Sequence, residues 1–333
     1  MKVLVTGGAG FIGSHTTIEL IAQKHDVLII DNFSNSSLEV IRRIEKISKK
    51  TCEFLNMDIR ETSKLIAVFE KFVPDCVIHF AGLKSVGDSI IFPLDYYDNN
   101  FLGSLSLLKA MDASGCKKII YSSSATVYGE PKYVPLDEKH PCEPVNPYGK
   151  TKLFVEEMLK DWATSKDKNS AIILRYFNPV GAHSSGLLGE DPLGVPNNLM
   201  PIIADVAIGK LPHINIYGND YSTRDGTGER DYVHVVDLAQ AHVAAVKKVS
   251  QRDFDVFNIG TGSGTTVLEL IEEFKKASGK KISTNFVNRR MGDVAISIAS
   301  VEKAKDELSW SAVKDIKDMS SDAWRWKIQN MTE

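Results

Sequence analysis

Thr6-Gly7-Gly8-Ala9-Gly10-Phe11-Ile12-Gly13 carries two overlapping glycine spacings, G-x-G-x-x-G at positions 8, 10 and 13 and G-x-x-G-x-x-G at 7, 10 and 13. The stretch follows the apolar run Lys2–Thr6 and opens a helical pattern from about Phe11. Strand, tight glycine turn and helix in that order make a cradle for a pyrophosphate. One glycine allows the turn, a second lets backbone approach the phosphates, and the third lets helix and strand pack closely. The helix N-terminus then favours the negative charge. The competing reading is a glycine-rich turn without a ligand, and the flanking strand and helix weigh against it.

Working outward, strand and helix alternate. Apolar runs at Asp26–Ile30, Cys52–Asn56, Asp75–Phe80, Lys117–Ser122 and Ala171–Tyr176 read as strands. Helical spacing covers Ser36–Lys50, Leu65–Phe72, 94–114 and Pro147 to about Thr164. Short continuous apolar runs separated by helices predict a doubly wound, Rossmann-type parallel sheet covered on both faces, an α/β fold. After about residue 177 Pro, Gly, Asn and Asp become frequent, with helices expected near 199–209, 235–249, 266–277 and 315–330. The division expected is a dinucleotide-binding domain over 1–177 and a smaller, mixed α/β, loop-rich domain over 178–333, with some segments returning to the first. Asp31 ends the second strand, 18 residues after Gly13. A carboxylate there accepts hydrogen bonds from ribose hydroxyls and repels a 2′-phosphate, which favours NAD over NADP. The alternative is a helix cap for the segment at 36, a position that Ser34 or Asn35 fills more naturally. Asp58, after the third strand, sits where an acceptor for the adenine edge belongs.

The 333 residues are 43% hydrophobic and 25% charged, an ordinary globular balance with ample chain for a core. A net charge of −3 lacks the basic excess of a phosphate-backbone binder, so no nucleic-acid partner is expected. No apolar stretch reaches membrane-span length, and MKVLVTGG does not read as a signal peptide, so a cytoplasmic protein without a membrane partner is expected. Cys52, Cys76, Cys116 and Cys142 form no C-x-x-C pair and have no neighbouring His at metal spacing. They read as reduced thiols, with no metal site.

Tyr148-Gly149-Lys150-Thr151-Lys152 is Y-x-x-x-K, which on a helix puts hydroxyl and ammonium on one face. A free tyrosine is a poor base at neutral pH; a nearby ammonium and a positive nicotinamide ring favour the phenolate. Alone, the pattern reads equally as a surface pair. Ser122-Ser123-Ser124 ends the preceding strand, where ligands bind at the carboxyl edge of a parallel sheet, and a hydroxyl there can share the reacting proton. A polar strand end with satisfied turns is the alternative.

TGGAGFIG, SSSATVYG and PYGKTK together resemble the extended short-chain dehydrogenase/reductase family. HFAGLKSVGDS (79–89), YYDNN (96–100), RYFNPVGAH (175–183), GEDPLGVPNNLMP (189–201), GNDYSTRDGTGERDYVHVVDLA (218–239) and NIGTGSG (258–264) extend the likeness over nearly the whole chain, to the UDP-sugar 4-epimerases of that family. The resemblance implies an NAD site of Gly7, Gly10, Phe11, Ile12, Gly13, Asp31, Asn32, Asn35, Asp58, Ile59, Phe80, Ala81, Lys84 and Asn99. It implies Tyr148 as base, Lys152 as the group that lowers its pKa and holds the nicotinamide ribose, and Ser124 on the sugar hydroxyl. Asn178, Asn198, Leu199, Tyr217, Arg230, Tyr232, Arg290 and Asp293 then line the UDP-sugar site. Two arginines suit a diphosphate, although Arg230 without the motif reads as a surface ion pair with Asp231 or Glu229.

The implied reaction interconverts UDP-glucose and UDP-galactose through a 4-keto sugar that turns over in the site, with the cofactor retained throughout. Arg290-Met291-Gly292-Asp293 resembles the family's R-x-G-D motif and fixes the register at Ser297, four residues on. Relatives restricted to plain sugars usually carry Tyr there, and relatives that take N-acetyl sugars carry a small residue. Ser297 therefore predicts an open pocket and turnover of UDP-N-acetylglucosamine and UDP-N-acetylgalactosamine, unless a neighbour refills the space. A nucleotide-sugar dehydratase needs an acid or base where this chain has Ala125-Thr126. A non-catalytic NAD-binding regulator has no use for an intact Tyr148, Lys152 and Ser124. The resemblance further implies a homodimer in which the helices at 94–114 and 147–164 pair with their mates.

Overall fold

A strand whose side chains are nearly all apolar has no face to offer water and must be covered on both sides. The computed structural model, which describes residues 1–194, 196, 198–290 and 292–331, meets that demand. Val195, Asn197 and Met291, quoted above within motifs, lie outside the described residues, as do the last two residues of the chain. The first half builds β1 (Lys2–Thr6), α1 (Phe11–Ala22), β2 (Asp26–Asp31), α2 (Leu38–Ser48), β3 (Glu53–Asn56), α3 (Thr62–Phe72), β4 (Cys76–His79), α4 (Val86–Ile91), α5 (Pro93–Tyr96), α6 (Gly103–Ser114), β5 (Lys118–Ser124), α7 (Pro147–Ser165) and β6 (Ser170–Tyr176). The second half adds β7 (Asn178–Val180), α8 (Leu199–Ala207), β8 (Ile214–Tyr217), β9 (Glu229–His234), α9 (Val235–Lys248), β10 (Phe254–Ile259), β11 (Gly264–Thr266), α10 (Val267–Ser278), β12 (Thr284–Val287), β13 (Ile296–Ser297), α11 (Glu302–Leu308) and α12 (Ile316–Gln329).

Seven parallel strands lie in the order β3-β2-β1-β4-β5-β6-β10. Successive side chains split between two cores. Val3, Val5, Ile29 and Ile78 pack with Ile18 and Leu20 of α1, Ile44 of α2 and Leu238 of α9. Leu4, Ile30, Val77 and Ile119 pack with Phe69 of α3, Leu107 of α6 and Leu159 of α7 on the other side. The chain winds outward from β1 to β3 and then restarts at β4 on the other side of β1, so the topological switch falls between β1 and β4. Ligands of such sheets bind at that crevice, beyond the carboxyl ends of the strands.

Three sequence expectations change. The segment 94–114 is not one regular helix: Tyr97–Leu102 is a π-turn between α5 and α6. Asn100, buried inside it, accepts from Leu83 N (2.7 Å) and donates to Leu83 O (3.0 Å) and Thr151 Oγ1 (3.1 Å). The wider turn places this amide between the loop after β4 and α7, a placement typical of functional sites. Residues 254–259, not read as a strand, form β10 and extend the first sheet beside β6. The expected strand Lys117–Ser122 also runs two residues further, to Ser124.

The remaining strands make smaller sheets. β9 pairs with β11 and β13 over its first half and with β7 over its second. β8 and β12 form a parallel pair. α8, α10 and α12 cover this region through Ile203, Leu270, Phe274 and Met319. Phe257 of β10 is fully buried in the first core. Phe257→Ala should destabilise the fold by about 3–5 kcal/mol, read as a lowered urea midpoint at unchanged slope.

Candidate functional site

The glycine turn is tighter than any side chain allows. Gly7 has φ +68°, and a Cβ there would stand 2.6 Å from Ala81 N. A Cβ at Gly13 would stand 2.3 Å from the Gly7 carbonyl oxygen, so α1 rests directly on the turn. Gly10 supplies the N-cap position without any side-chain cap, which leaves first-turn amides of Phe11, Ile12 and Gly13 free of a capping group. This backbone cradle fits a dinucleotide pyrophosphate.

Beside it, the Asp31 carboxylate accepts from Ala9 N, Phe33 N and Ser36 Oγ, each at 2.9 Å. Asp31 thus ties the glycine turn to the end of β2. The N-cap position of α2 is Ser37, so neither Ser34 nor Asn35 fills it. Asn32 donates to Asp58 (3.0 Å), and Arg60 donates to Asp58 from its backbone and guanidinium. The Arg60 bonds, against burial, hold the Asp58 carboxyl down at about 2. Asn35 is exposed, Ile59 is buried under this cluster, and Phe80, Ala81 and Asn99 are half-buried.

α7 starts at Pro147, with Asn146 Oδ1 accepting from Gly149 N (2.8 Å). That start turns Tyr148 and Lys152 inward, 9% and 5% exposed. Lys152 Nζ donates to the Ser122 carbonyl (2.7 Å) and lies 4.9 Å from the Tyr121 ring centroid and 5.8 Å from that of Tyr148. Burial pulls the Lys152 ammonium down to about 8, opposed by Glu156. Burial also pushes the Tyr148 phenol up to about 12, opposed by a hydrogen bond with Ser124. The lowered phenol anticipated from sequence is therefore not a property of the protein alone: dryness outweighs an ammonium that points at a carbonyl. Ser124 Oγ also accepts from Thr126 N and Oγ1, closing the short turn Ala125–Val127. Neither Ala125 nor Thr126 supplies an acid or base there.

The remaining candidates are reached through strand register. Ser124 lies opposite Tyr176. Two residues on, Asn178 lies opposite Tyr232. Arg230, on the same face of β9 as Tyr232, lies opposite Ser297. Arg230 does not pair with a neighbouring carboxylate. Its Nη1 donates to the carbonyls of Glu229 (2.9 Å) and Ala295 (3.3 Å). Asp231 is fully buried and taken by Thr261, Gly262 and Ala299, while Glu229 is taken by Arg224. Arg290 lies 5.0 Å from the Tyr217 ring and forks onto Asp293 (3.1 and 3.2 Å). Lys84 and Asn198, candidates for different ligands, meet on one carboxylate, Glu190, which is 8% exposed. Leu199 opens α8 just beyond. Sequence reasoning missed Glu190, although it lies in the quoted GEDP stretch, and missed Asn100 of YYDNN.

A family model described as GDP-mannose 4,6 dehydratase matches residues 4–323. The fold, with its Tyr-x-x-x-Lys helix against a serine strand end, defines the extended short-chain dehydrogenases/reductases. The chain is 49% identical to UDP-glucose 4-epimerase of Bacillus subtilis (strain 168), covering 99% of this chain and 98% of that protein. It is similar to the UDP-glucose 4-epimerase structures from Stenotrophomonas maltophila with bound NAD and formylated UDP-arabinopyranose (TM-score 0.97, 47% identity, 99% and 98% covered) and from Bifidobacterium longum with NAD+ and UDP (0.97, 48%, 99% of each). The chain belongs to the UDP-glucose 4-epimerase family. Neither the dehydratase nor the regulator reading finds support beside these relatives.

Gly13→Ala should lower the melting temperature and distort the cradle, because the new methyl meets backbone rather than a movable side chain. The expected loss is about 1–3 kcal/mol, checked by thermal unfolding beside Gly87→Ala, where the backbone is helical and a Cβ would meet nothing within 4 Å.

Proposed function

We propose that this protein is an NAD-dependent UDP-sugar 4-epimerase that interconverts UDP-glucose and UDP-galactose. The observation that carries the reading is the meeting of Tyr148, Lys152 and Ser124 in a dry pocket at the carboxyl edge of β5. One sheet partner away from β5, β4 leads into the glycine cradle through Ala81. The relatives from S. maltophila and B. longum hold NAD. Gly7, Gly10, Phe11, Ile12 and Gly13 would hold its pyrophosphate, Asp31 and Asn32 the adenosine ribose, and Asn35, Asp58 and Ile59 the adenine side. Phe80, Ala81, Lys84 and Asn99 would line the path to the nicotinamide. The chemistry NAD supplies when bound is reversible acceptance of hydride at sugar C4.

Tyr148 takes and returns the proton of the sugar 4-hydroxyl, with Ser124 sharing it. Lys152 supplies the positive charge that the buried phenol lacks. Arg230 and Arg290 hold the diphosphate, and Asn178, Asn198, Leu199, Tyr217, Tyr232 and Asp293 form the rest of the UDP-sugar site. The nucleotide end stays fixed while the sugar end turns over. Ser297, half-buried beside Arg230, leaves room there for an acetamido group, so UDP-N-acetylglucosamine and UDP-N-acetylgalactosamine are substrates as well.

A homodimer completes the reading. Leu94 is 78% and Ile91 67% exposed, and Ile90, Phe92, Leu102 and Phe154 join them on the side of α4, α5, the π-turn and α7. So much apolar surface on one side calls for cover, and a second copy of the chain supplies it. Four free thiols agree with a cytoplasmic setting. No helix among the described residues is long and apolar enough to cross a membrane, and no metal-binding cluster occurs among them.

Purified protein given UDP-galactose or UDP-N-acetylgalactosamine, with no NAD added, should epimerise both. Turnover of the plain sugar alone sinks the substrate extension, and turnover of neither after NAD is supplied sinks the epimerase reading. Tyr148→Phe should cut kcat by about 10²–10⁴-fold, and Ser297→Tyr should remove activity on the acetylated sugar while sparing the plain one.

Leu94→Glu with Phe154→Glu should halve the mass seen by light scattering; an unchanged mass, or a wild-type monomer, removes the dimer proposal.

A further inference from the structure

The inner face of α7 carries three polar side chains one turn apart, Tyr148, Lys152 and Glu156. Each meets a different serine of β5. Tyr148 faces Ser124, Lys152 donates to the Ser122 carbonyl, and Glu156 accepts from Ser123 Oγ. Glu156 is 2% exposed. Arg175, directly opposite Ser123 in register, donates to Glu156 from Nε (3.1 and 3.2 Å) and Nη2 (2.6 Å). The guanidinium continues to Tyr128 OH (3.1 Å), which donates to Asn258 of β10 (2.6 Å). The acid is thus tied to the two strands under α7 and through Tyr128 to a third.

A pair held this firmly would serve stability alone if it lay far from the reacting groups. It lies one helical turn from Lys152. The other groups around that ammonium are Tyr148 on α7, Tyr121 and the Ser122 carbonyl on β5, and His79 on β4, with Tyr176 of β6 behind Ser122. His79 is buried between Thr6 and Ser104, and burial holds it neutral at about 3. Tyr121 and Tyr176 are likewise held neutral by burial. Glu156, paired with Arg175, is therefore the carboxylate whose charge favours the Lys152 ammonium against burial.

We propose that Glu156 is a positioning residue for the epimerase reaction, fixing the height of α7 on β5 and keeping the Lys152 ammonium charged. The proposal rests on the reading of the protein as an epimerase. Its sign follows from the geometry. Removing the carboxylate strips Lys152 of its counter-charge and leaves Arg175 unpaired, so Lys152 loses its proton at lower pH and the alkaline limb of kcat moves down.

The test is kcat for UDP-galactose between about pH 6 and 10 in folded protein with NAD supplied. Glu156→Gln should move the alkaline limb down by about one pH unit, with KM changed less than about twofold and kcat at pH 8 reduced roughly tenfold. Glu156→Asp keeps the charge but retracts it; its limb should stay while kcat falls several-fold. If Gln alone does not fold, Glu156→Gln with Arg175→Met removes both charges together and leaves no lone buried ion; its limb should also move down. A folded Gln or double variant with the wild-type limb overturns the proposal, as does an Asp variant with wild-type kcat. A lowered melting temperature with an unmoved limb assigns Glu156 to stability alone. Absence of turnover in the unmodified protein strikes the epimerase reading instead.

Discussion

An ammonium buried at 5% exposure dictates the local architecture. Taking such a charge out of water costs several kcal/mol, and only well-placed partners offset it. Lys152 has a carbonyl at the end of β5, two aromatic faces and a carboxylate one turn along its own helix. The carbonyl is reachable because β5 ends in three short side chains, Ser122–Ser124. The helix face is correct because Pro147 and the Asn146 cap fix where α7 begins. Once these are set, the Tyr148 hydroxyl has one place to go, a dry site at the carboxyl edge of the sheet. Dryness raises the phenol, and the same low dielectric strengthens any positive charge brought beside it. The pocket is thus poised to respond to a cation more than water would allow.

Most of the seven-stranded sheet was legible because its constraints are local. Each apolar run is long enough to read, and its two faces sort into two cores without further information. The glycines could be read for the same reason: close approach of Gly13 to the Gly7 carbonyl is a demand on one residue. Where a residue's role depends on a partner far along the chain, reading failed. Asn100 looks like one more helical polar residue until Leu83 and Thr151 are placed against it. Glu156 has helical spacing from Lys152, yet its meaning comes from Arg175 and Ser123 on two strands. β10 was missed because the run Phe254–Ile259 is broken by Asp255 and Asn258, and its burial is decided by β6.

The second region was legible mainly through motif likeness. Its strands are two to six residues long, too short for periodicity to assign, and β9 draws partners from three places in the chain. Arg230 shows the difference. Locally it sits between two acids and reads as half of an ion pair. In the fold Asp231 turns inward to tie the turn at Thr261 and Gly262, Glu229 turns to Arg224, and Arg230 is left bonded to carbonyls alone. A guanidinium that has only neutral acceptors retains its charge for another partner, whereas Arg290 is already forked onto Asp293.

That asymmetry bears on how one site can be firm and loose at once. Ser124 pairs with Tyr176 in the seven-stranded sheet and Asn178 with Tyr232 in a smaller one, and Phe177 joins the two, so a short run of chain ties the serine strand end to β9 and its Arg230. Asp231 stiffens its far end with four donors from two segments. The residue facing Arg230 across the ladder, Ser297, contributes only a hydroxymethyl group on a two-residue strand. Rigidity is therefore concentrated in the backbone and the charged anchor, and the space beside it is bounded by a small side chain. Strand alternation makes this possible: Asp231 points into the protein and holds β9 from behind, so Arg230 on the opposite face stays in place without a carboxylate partner of its own.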